Sequence, residues 1–312
     1  MKLRSAIIFI TIIFISGCSH VATNEETISS NNGLDIEILE NSLSDVYYEG
    51  ENINIELQVE NLGDYTVEKN KFFLYLSGFN PTAFGKNLES LKLSNNNDLT
   101  ELFNSDNETL VTGIEYFTFD NLCYKNNLDS PYDLNMKFTS CYPYQTIISS
   151  KVCFGDPKAN NNELCMVNEQ KDFTNTLAPI QATSLVENYI GNGDYRFVIN
   201  FLNSGSGEII GLDKTSDCSN IDSRSTSLLS INSIKLDGEE LIDSNILNLE
   251  LPQNKDNVRI INDAGSISFK INQNQDIDYI GDLQVTLSYG YKSSFDKSTV
   301  IYDSEGVSGC EA

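Results

Sequence analysis

Cysteine is the residue type in this chain with the clearest potential for chemistry. The sequence contains 7 Cys, and all but one of them lie well beyond the N-terminal segment: Cys123, Cys141, Cys153, Cys165, Cys218 and Cys310. None belongs to a C-x-x-C pair, and the only His of the chain, His20, lies near the N-terminus. A Cys/His zinc site is therefore not expected. An even number of dispersed cysteines instead predicts disulfides that form in an oxidising compartment.

The spacing of these cysteines does not fix their pairing, because six cysteines allow fifteen connectivities. We predict three pairs that each lie within one half of the chain: Cys123–Cys141, Cys153–Cys165 and Cys218–Cys310. The first two would close short loops, and the third would hold the end of the chain. Loop entropy gives each short loop about 3 kcal/mol and the long loop about 4–5 kcal/mol of stabilisation.

The N-terminal segment is typical of an exported protein. Lys2 and Arg4 precede an apolar run over residues 6–15. That run is too short to cross a bilayer core of about 30 Å as a helix, but its length suits a signal peptide. We therefore predict that residues 1–17 form a signal peptide and that the remaining chain is extracytoplasmic.

Cys18 follows this apolar run in a motif that resembles a bacterial lipobox, the residues Ile15-Ser16-Gly17-Cys18. The resemblance implies that the Cys18 thiol is diacylated and becomes the N-terminus of the processed lipoprotein. Residues 18–33 are polar and lack periodicity, so they predict a flexible tether after the lipid. The protein would then be anchored at the cell surface or at the periplasmic face of a membrane. The alternative is an ordinary signal peptide cut nearby, with Cys18 incidental.

Composition and charge exclude several function classes. The formal net charge is -25, with 45 Asp and Glu against 20 Lys and Arg. This charge argues against nucleic acid as a partner, because phosphate binding needs clustered Lys and Arg. A Ser-His-Asp or Cys-His catalytic arrangement requires a His in the folded part, but the only His, His20, lies in the predicted tether. We therefore expect a protein that is not an enzyme.

Alternating apolar and polar residues predict β-strands through most of the chain. The pattern is clearest over residues 53–59, 195–201 and 283–289, and a period of two is typical of half-buried strands. Turn signals such as Asp237-Gly238 separate these segments. Many short alternating strands form sandwiches, because each sheet must bury its apolar face.

An internal repeat supports this architecture. Residues 53–63 (INIELQVENLG) and 195–205 (YRFVINFLNSG) align without a gap, and both end in Asn-x-Gly. Upstream, residues 36–41 correspond to residues 184–188, each a strand that ends in Glu-Asn. These units resemble the start of CARDB-like domains, immunoglobulin-like sandwiches of the cell-adhesion-related bacterial and archaeal type, over about 30 residues in each half. The chain contains no Trp, unlike antibody-type domains.

The resemblance implies two tandem immunoglobulin-like β-sandwich domains in a surface or adhesive setting. We predict domain 1 at residues 34–178, with an insertion near residues 79–110, and domain 2 at residues 179–312. The fold class is therefore expected to be all-β.

Two oxygen-rich groups of residues are candidates for calcium, which binds closely spaced carboxylate and amide oxygens. They are Asn104, Asp106 and Glu108 in the first half and Asp276, Asp278 and Asp282 in the second. Solvated acidic loops are the alternative for both. Asn107 begins an Asn-Glu-Thr sequon, which is a candidate for glycosylation. Tyr142, Tyr144, Tyr289 and Tyr291 would form either an aromatic ligand platform or cross-strand packing.

Together these features predict a non-enzymatic, lipid-anchored protein of the cell envelope. Its sandwich domains would bind or adhere to envelope or extracellular molecules, with a protein or a glycan as the partner. One alternative is a structural spacer or self-assembling surface subunit. Another is a calcium- or glycan-binding module.

Overall fold

The computed structural model describes residues 33–104, 110–155, 165–218, 221, 226–242, 244–250, 258–273, 278–304 and 310. Nearly all regular structure in these residues is β, which confirms the predicted all-β class. In chain order the strands are β1 (Leu34–Ile38), β2 (Val46–Tyr48), β3 (Ile53–Asn61), β4 (Phe73–Ser77), β5 (Lys92–Ser94), β6 (Phe103–Asn104), β7 (Leu110–Val111), β8 (Ile114–Leu122), β9 (Tyr132–Phe154), β10 (Glu169–Lys171), β11 (Phe173–Asn175), β12 (Ile180–Gly191), β13 (Asp194–Asn203), β14 (Glu208–Ile210), β15 (Leu228–Leu236), β16 (Glu239–Glu240), β17 (Leu247–Leu249), β18 (Val258–Arg259), β19 (Ala264–Asn272) and β20 (Tyr279–Tyr302). Short 3₁₀ helices span Pro81–Phe84, Glu89–Leu91 and Leu212–Asp217.

The strands form one large sheet and two smaller ones. The large sheet has the order β16-β15-β20-β9-β4-β5, and β2, β11 and β14 pair beside its long strands. A three-stranded sheet has the order β1-β3-β8, and a five-stranded sheet has the order β10-β12-β13-β19-β17. Strands β6 and β7 pair with each other, and β18 pairs with β15.

The two smaller sheets pack on opposite ends of the large sheet. The three-stranded sheet and the part of the large sheet that it covers form the first lobe, where the rings of Phe117 and Phe72 lie 5.2 Å apart. The five-stranded sheet and the part that it covers form the second lobe, where the rings of Phe197 and Phe154 lie 6.3 Å apart. Alternate residues of the strands face inward, so each lobe buries an apolar layer between two sheets.

The long strands β9 and β20 belong to both lobes. They pair antiparallel from Tyr132 opposite Ile301 to Phe154 opposite Tyr279. The predicted boundary between residues 178 and 179 falls between β11 and β12, but β20 of the second half runs along β9 of the first. The two lobes therefore share strands, whereas the resemblance implied two tandem immunoglobulin-like sandwich domains.

Four tyrosines fill the junction between the lobes, and all are fully buried: Tyr142, Tyr144, Tyr289 and Tyr291. Tyr144 lies opposite Tyr289, and Tyr142 lies opposite Tyr291. The rings of Tyr142 and Tyr291 are 5.8 Å apart. Cross-strand packing thus accounts for these side chains, and they form no exposed platform.

The two Asn-x-Gly motifs make the same hydrogen bond in both lobes. The Asn61 side-chain amide donates to the carbonyl oxygen of Tyr65 at 2.8 Å. The Asn203 amide donates to the carbonyl oxygen of Gly207 at 2.7 Å. Each Asn is the last residue of a central strand and bonds to the backbone four residues ahead, so the sequence repeat is also a repeat of local structure.

Candidate functional site

The six predicted disulfide cysteines all form disulfides, but two of the three predicted pairings are wrong. The observed pairs, with their Cα separations, are Cys123–Cys310 at 5.9 Å, Cys141–Cys218 at 6.3 Å and Cys153–Cys165 at 5.8 Å. Only Cys153–Cys165 was predicted. These bonds indicate an oxidising, extracytoplasmic environment.

Sheet geometry explains the two errors. The prediction paired cysteines within each half of the chain, but Cys141 lies in the middle of β9 whereas Cys123 follows the end of β8. Cys141 meets Cys218 directly after the 3₁₀ helix Leu212–Asp217, where Ile210 packs with both. The Cys141–Cys218 and Cys123–Cys310 bonds therefore both join the first half of the chain to the second.

A concave surface lies beside the Cys153–Cys165 disulfide in the second lobe. It is a groove of about 920 Å³ between the ends of β9 and β20 and the segment that carries β10 and β11. Met166 and Ile280 line it and are 66% and 44% exposed. Ligand sites commonly have volumes of about 300–1,000 Å³ and apolar walls with a few polar groups. We call this surface between β9, β20 and the segment with β10 and β11 the groove. It is the candidate binding site.

The groove exists because the chain changes sheets there. Lys171 ends β10, which pairs with β12 of the five-stranded sheet, and Phe173 begins β11, which pairs with β9 of the large sheet. Asp172 is the single residue between them, and its carbonyl oxygen accepts a hydrogen bond from the Ser150 hydroxyl at 2.8 Å. The crossing segment and the disulfide form one wall of the groove.

A buried ion cluster supports this wall. The Lys171 ammonium lies 3.2 Å from the Glu187 carboxylate and 2.8 Å from the Glu169 carboxylate, and it also donates to the carbonyl oxygen of Met166. The Glu187 side chain is fully buried. Its Oε2 accepts a hydrogen bond from the Cys153 backbone N–H at 3.0 Å. Lys171 and Glu187 therefore connect β10 and β12 with the free edge of β9.

Burial raises the pKa of Glu187 above its ordinary value. The hydrogen bond from Cys153 and the charge of Lys171 oppose this shift, whereas the nearby charge of Glu169 adds to it. The other carboxylate oxygen, Oε1, has no hydrogen-bond partner among the described residues. A buried carboxylate oxygen without a hydrogen-bond partner costs stability, so Glu187 supports this wall at an energetic cost.

The groove also carries exposed charged side chains of both signs. Lys151 and Asp282 form an ion pair at 2.7 Å, and both side chains are largely exposed. Lys235 lines the same surface. Such a mixed-charge, partly apolar surface suits recognition of another molecule.

The other predicted site residues lie largely outside the described part of the structure. This is true of Cys18, Asp106, Asn107, Glu108, Asp276 and the side chain of Asn104. Asp278 and Asp282 are described, and Asp282 is paired with Lys151. Within the described ranges, no group of three or more His, Cys, Asp or Glu side chains is placed to hold a metal ion.

Sequence reasoning missed the ion cluster, although the sequence contains a signal for it. Leu185, Glu187 and Tyr189 occupy alternate positions of one strand, so the inward face of β12 carries a Glu between two apolar residues. A charged residue on an apolar strand face is rarely buried unless it is paired. That pattern identifies Glu187 but not its partner Lys171.

No protein-family model and no curated protein matches this chain. Among the described residues, no helix has the length and apolar character needed to cross a membrane. The geometry of the groove and the chemistry of the sequence are therefore the basis for a functional proposal.

Proposed function

We propose that this protein is a non-enzymatic, lipid-anchored binding protein of the cell envelope. The groove beside the Cys153–Cys165 disulfide is its binding site for an envelope or extracellular molecule. The single observation that carries this proposal is the size and composition of the groove, with Met166 and Ile280 exposed at its surface. Exposed apolar side chains in a concave surface are typical of binding sites.

Three further features support the proposal. The disulfides agree with an extracytoplasmic location, and the lipobox-like motif at Cys18 supplies a route to the membrane. Two acyl chains give stable anchoring, whereas one is marginal. The repeated strand and Asn-x-Gly unit of the sequence resembles the start of CARDB-like domains, and this resemblance favours an adhesive setting.

Site-specific photo-crosslinking of the full-length protein in its native envelope tests the proposal. A photoreactive residue at Ile280 should give a discrete adduct, because this side chain lies in the groove. The control position is Leu202 on the five-stranded sheet, which is similarly exposed at 37% and should not give that adduct. Identical adducts from both positions, or none from position 280, would contradict binding in the groove. Intact-mass analysis of the same preparation should show a diacylated Cys18, and Cys18→Ser should remove that mass.

A further inference from the structure

Strand β8 is an unusually long edge strand. It has nine residues and pairs only with β3 among the described strands. The other strands that end the three main sheets have between two and five residues. Short edges protect a sheet from pairing with foreign strands. Among the described strands that end a sheet, β8 therefore offers the longest main-chain edge to a partner.

The middle of β8 is the open part of this edge. At its start, the backbone N–H groups of Asn96 and Asn97 donate to the Glu115 carboxylate at 2.7 and 3.3 Å. Near its end, the Asn121 N–H donates to the side chain of Asn54 at 2.8 Å, but Asn54 belongs to β3, so this contact lies on the paired side of β8. Beyond Glu115, residues 116–120 have no backbone hydrogen bond to any described residue outside β3. We call residues 116–120 the open edge.

The open edge also exposes an aromatic side chain. Tyr116 is 62% exposed, and Ile114, which precedes it on the same face, is 47% exposed. A partner strand placed beside β8 would cover both side chains. Cross-strand contacts with aromatic and β-branched residues contribute about 0.2–1 kcal/mol each. Main-chain and side-chain features therefore point to the same surface.

The sheet that contains the open edge is acidic on its outer face. Strands β1, β3 and β8 contain Asp and Glu but no Lys or Arg. The outward acidic residues are Asp35, Glu37, Glu56, Glu60 and Asp120. Asp35 lies directly opposite Glu60, and like charges in this position destabilise a sheet. Lys86, at 3.8 Å from Asp120, offsets this charge only in part.

The five-stranded sheet provides an internal comparison, because its outer charges are balanced. Arg196 and Lys270 both contact the Glu250 carboxylate, at 2.6 and 2.5 Å. The acidic excess is therefore a property of the sheet with the open edge. It is not a uniform consequence of the net charge of -25.

We propose that the open edge of β8 accepts an extended, Lys- or Arg-bearing segment of another protein as a fourth strand of the three-stranded sheet. Strand addition would supply main-chain hydrogen bonds, and the acidic outer face would select the basic side chains. This inference rests on the proposed role as a binding protein, but it concerns a surface in the first lobe, whereas the groove lies in the second. A second copy of this chain is a poor occupant, because it would bring one acidic face against another.

Peptide binding to the full-length protein in detergent tests this inference. The probe is a capped seven-residue peptide that alternates Lys with Val, labelled with a fluorophore, and the readout is fluorescence anisotropy at low salt. Binding should weaken at least tenfold in Tyr116→Lys, because this change places a positive charge on the open edge. Tyr48→Lys is the matched control, since Tyr48 lies on the short strand β2 and is 52% exposed. It should change the affinity less than twofold.

Two altered peptides separate the main-chain and charge contributions. A peptide with Glu in place of Lys, and one with N-methylated Val residues, should each bind at least tenfold more weakly. Equal binding to Tyr116→Lys and Tyr48→Lys would overturn the proposal. So would self-association that sedimentation detects in the wild type and not in Tyr116→Lys, because the occupant would then be a second copy. Neither result would alter the crosslinking expected at position 280, so failure here is distinguishable from failure of the groove proposal.

Discussion

At the scale of single residues, Glu187 shows how burial and charge oppose each other. Its carboxylate is enclosed between two sheets, where desolvation favours the neutral form. Lys171 and the Cys153 N–H favour the ionised form, but burial has the larger effect and the pKa is raised. The folded protein therefore binds this proton at a higher pH than the unfolded chain does.

This shift predicts a pH dependence of stability. Because the folded-state pKa of Glu187 is raised above its ordinary value of 4.5, its unfavourable contribution at neutral pH should diminish as the pH falls through the raised pKa. Urea unfolding of wild type and Glu187→Gln measures this contribution from pH 7 to about 4.5. The free energy of unfolding of the wild type, minus that of the variant, should increase as the pH falls.

Glu240 provides a control of opposite sign. Burial acts to raise its pKa, but hydrogen bonds from Ser233 and from the backbone N–H groups of Ile242 and Ile234 outweigh it, and the pKa is lowered. Its favourable contribution is lost as the pH falls. The difference between wild type and Glu240→Gln should therefore decrease on acidification. The same direction of change for both residues would contradict the assigned balance at Glu187.

At the scale of elements, the Cys141–Cys218 disulfide attaches the 3₁₀ helix Leu212–Asp217 to the large sheet. Gly290 of β20 lies directly beneath this segment, and a Cβ at that position would come within 2.7 Å of Ile210 and Thr215 side-chain atoms. The disulfide and the missing side chain at Gly290 together let the segment cover the outer face of the sheet.

Removal of the Cys141–Cys218 disulfide should lower the free energy of unfolding more than removal of the Cys153–Cys165 bond. The sequence separations are 77 and 12 residues, so loop entropy predicts losses of about 4.5 and about 3 kcal/mol. The double variants Cys141→Ala/Cys218→Ala and Cys153→Ala/Cys165→Ala can be compared by urea unfolding. An equal or reversed order would show that native contacts, and not loop length, determine the contribution.

Individual strands could be predicted from the sequence, but their partners could not. The alternation over residues 53–59 and 195–201 identified β3 and β13, because a half-buried strand requires a period of two. A period of two reveals which face is buried and says nothing about the neighbouring strand. The pairing of β9 with β20, which joins distant parts of the chain, therefore left no local signal.

Pro143 shows how tertiary context overrides a local rule. Proline in a central strand is normally excluded, because it cannot donate a ladder hydrogen bond. In this fold, β4 pairs with β9 only as far as Cys141, and β11 pairs with it only from Ile148. Pro143 lies in the gap between them, so its missing N–H is tolerated within a 23-residue strand.

The groove also could not be predicted from the sequence. Its walls come from β9, β20 and the segment with β10 and β11, and these meet only after the sheets have formed. Glu187 was detectable as a charge on an apolar strand face, and Cys153–Cys165 was the one disulfide pairing that was predicted correctly. The position of Lys171 beside them depends on the change of sheet at Asp172, which no motif in the sequence marks.

At the scale of the whole molecule, the shared strands should make the two lobes unfold together. Strand β9 is flanked by β4 in the first lobe and by β11 in the second, and β20 runs beside it through both. Neither lobe can lose its part of the large sheet without disrupting the other. Tandem sandwiches with separate sheets would instead unfold as independent units.

Matched core substitutions in the two lobes test this cooperativity. Leu57 and Ile199 occupy equivalent positions of the internal repeat, and both are fully buried. Leu57→Ala and Ile199→Ala should each cost about 2–5 kcal/mol. Calorimetry of the disulfide-intact protein should show one transition that either change lowers as a whole, with the calorimetric enthalpy equal to the van't Hoff enthalpy. If each substitution instead lowered a separate transition and left the other in place, the two lobes would unfold independently. That result would contradict the predicted coupling through the shared strands.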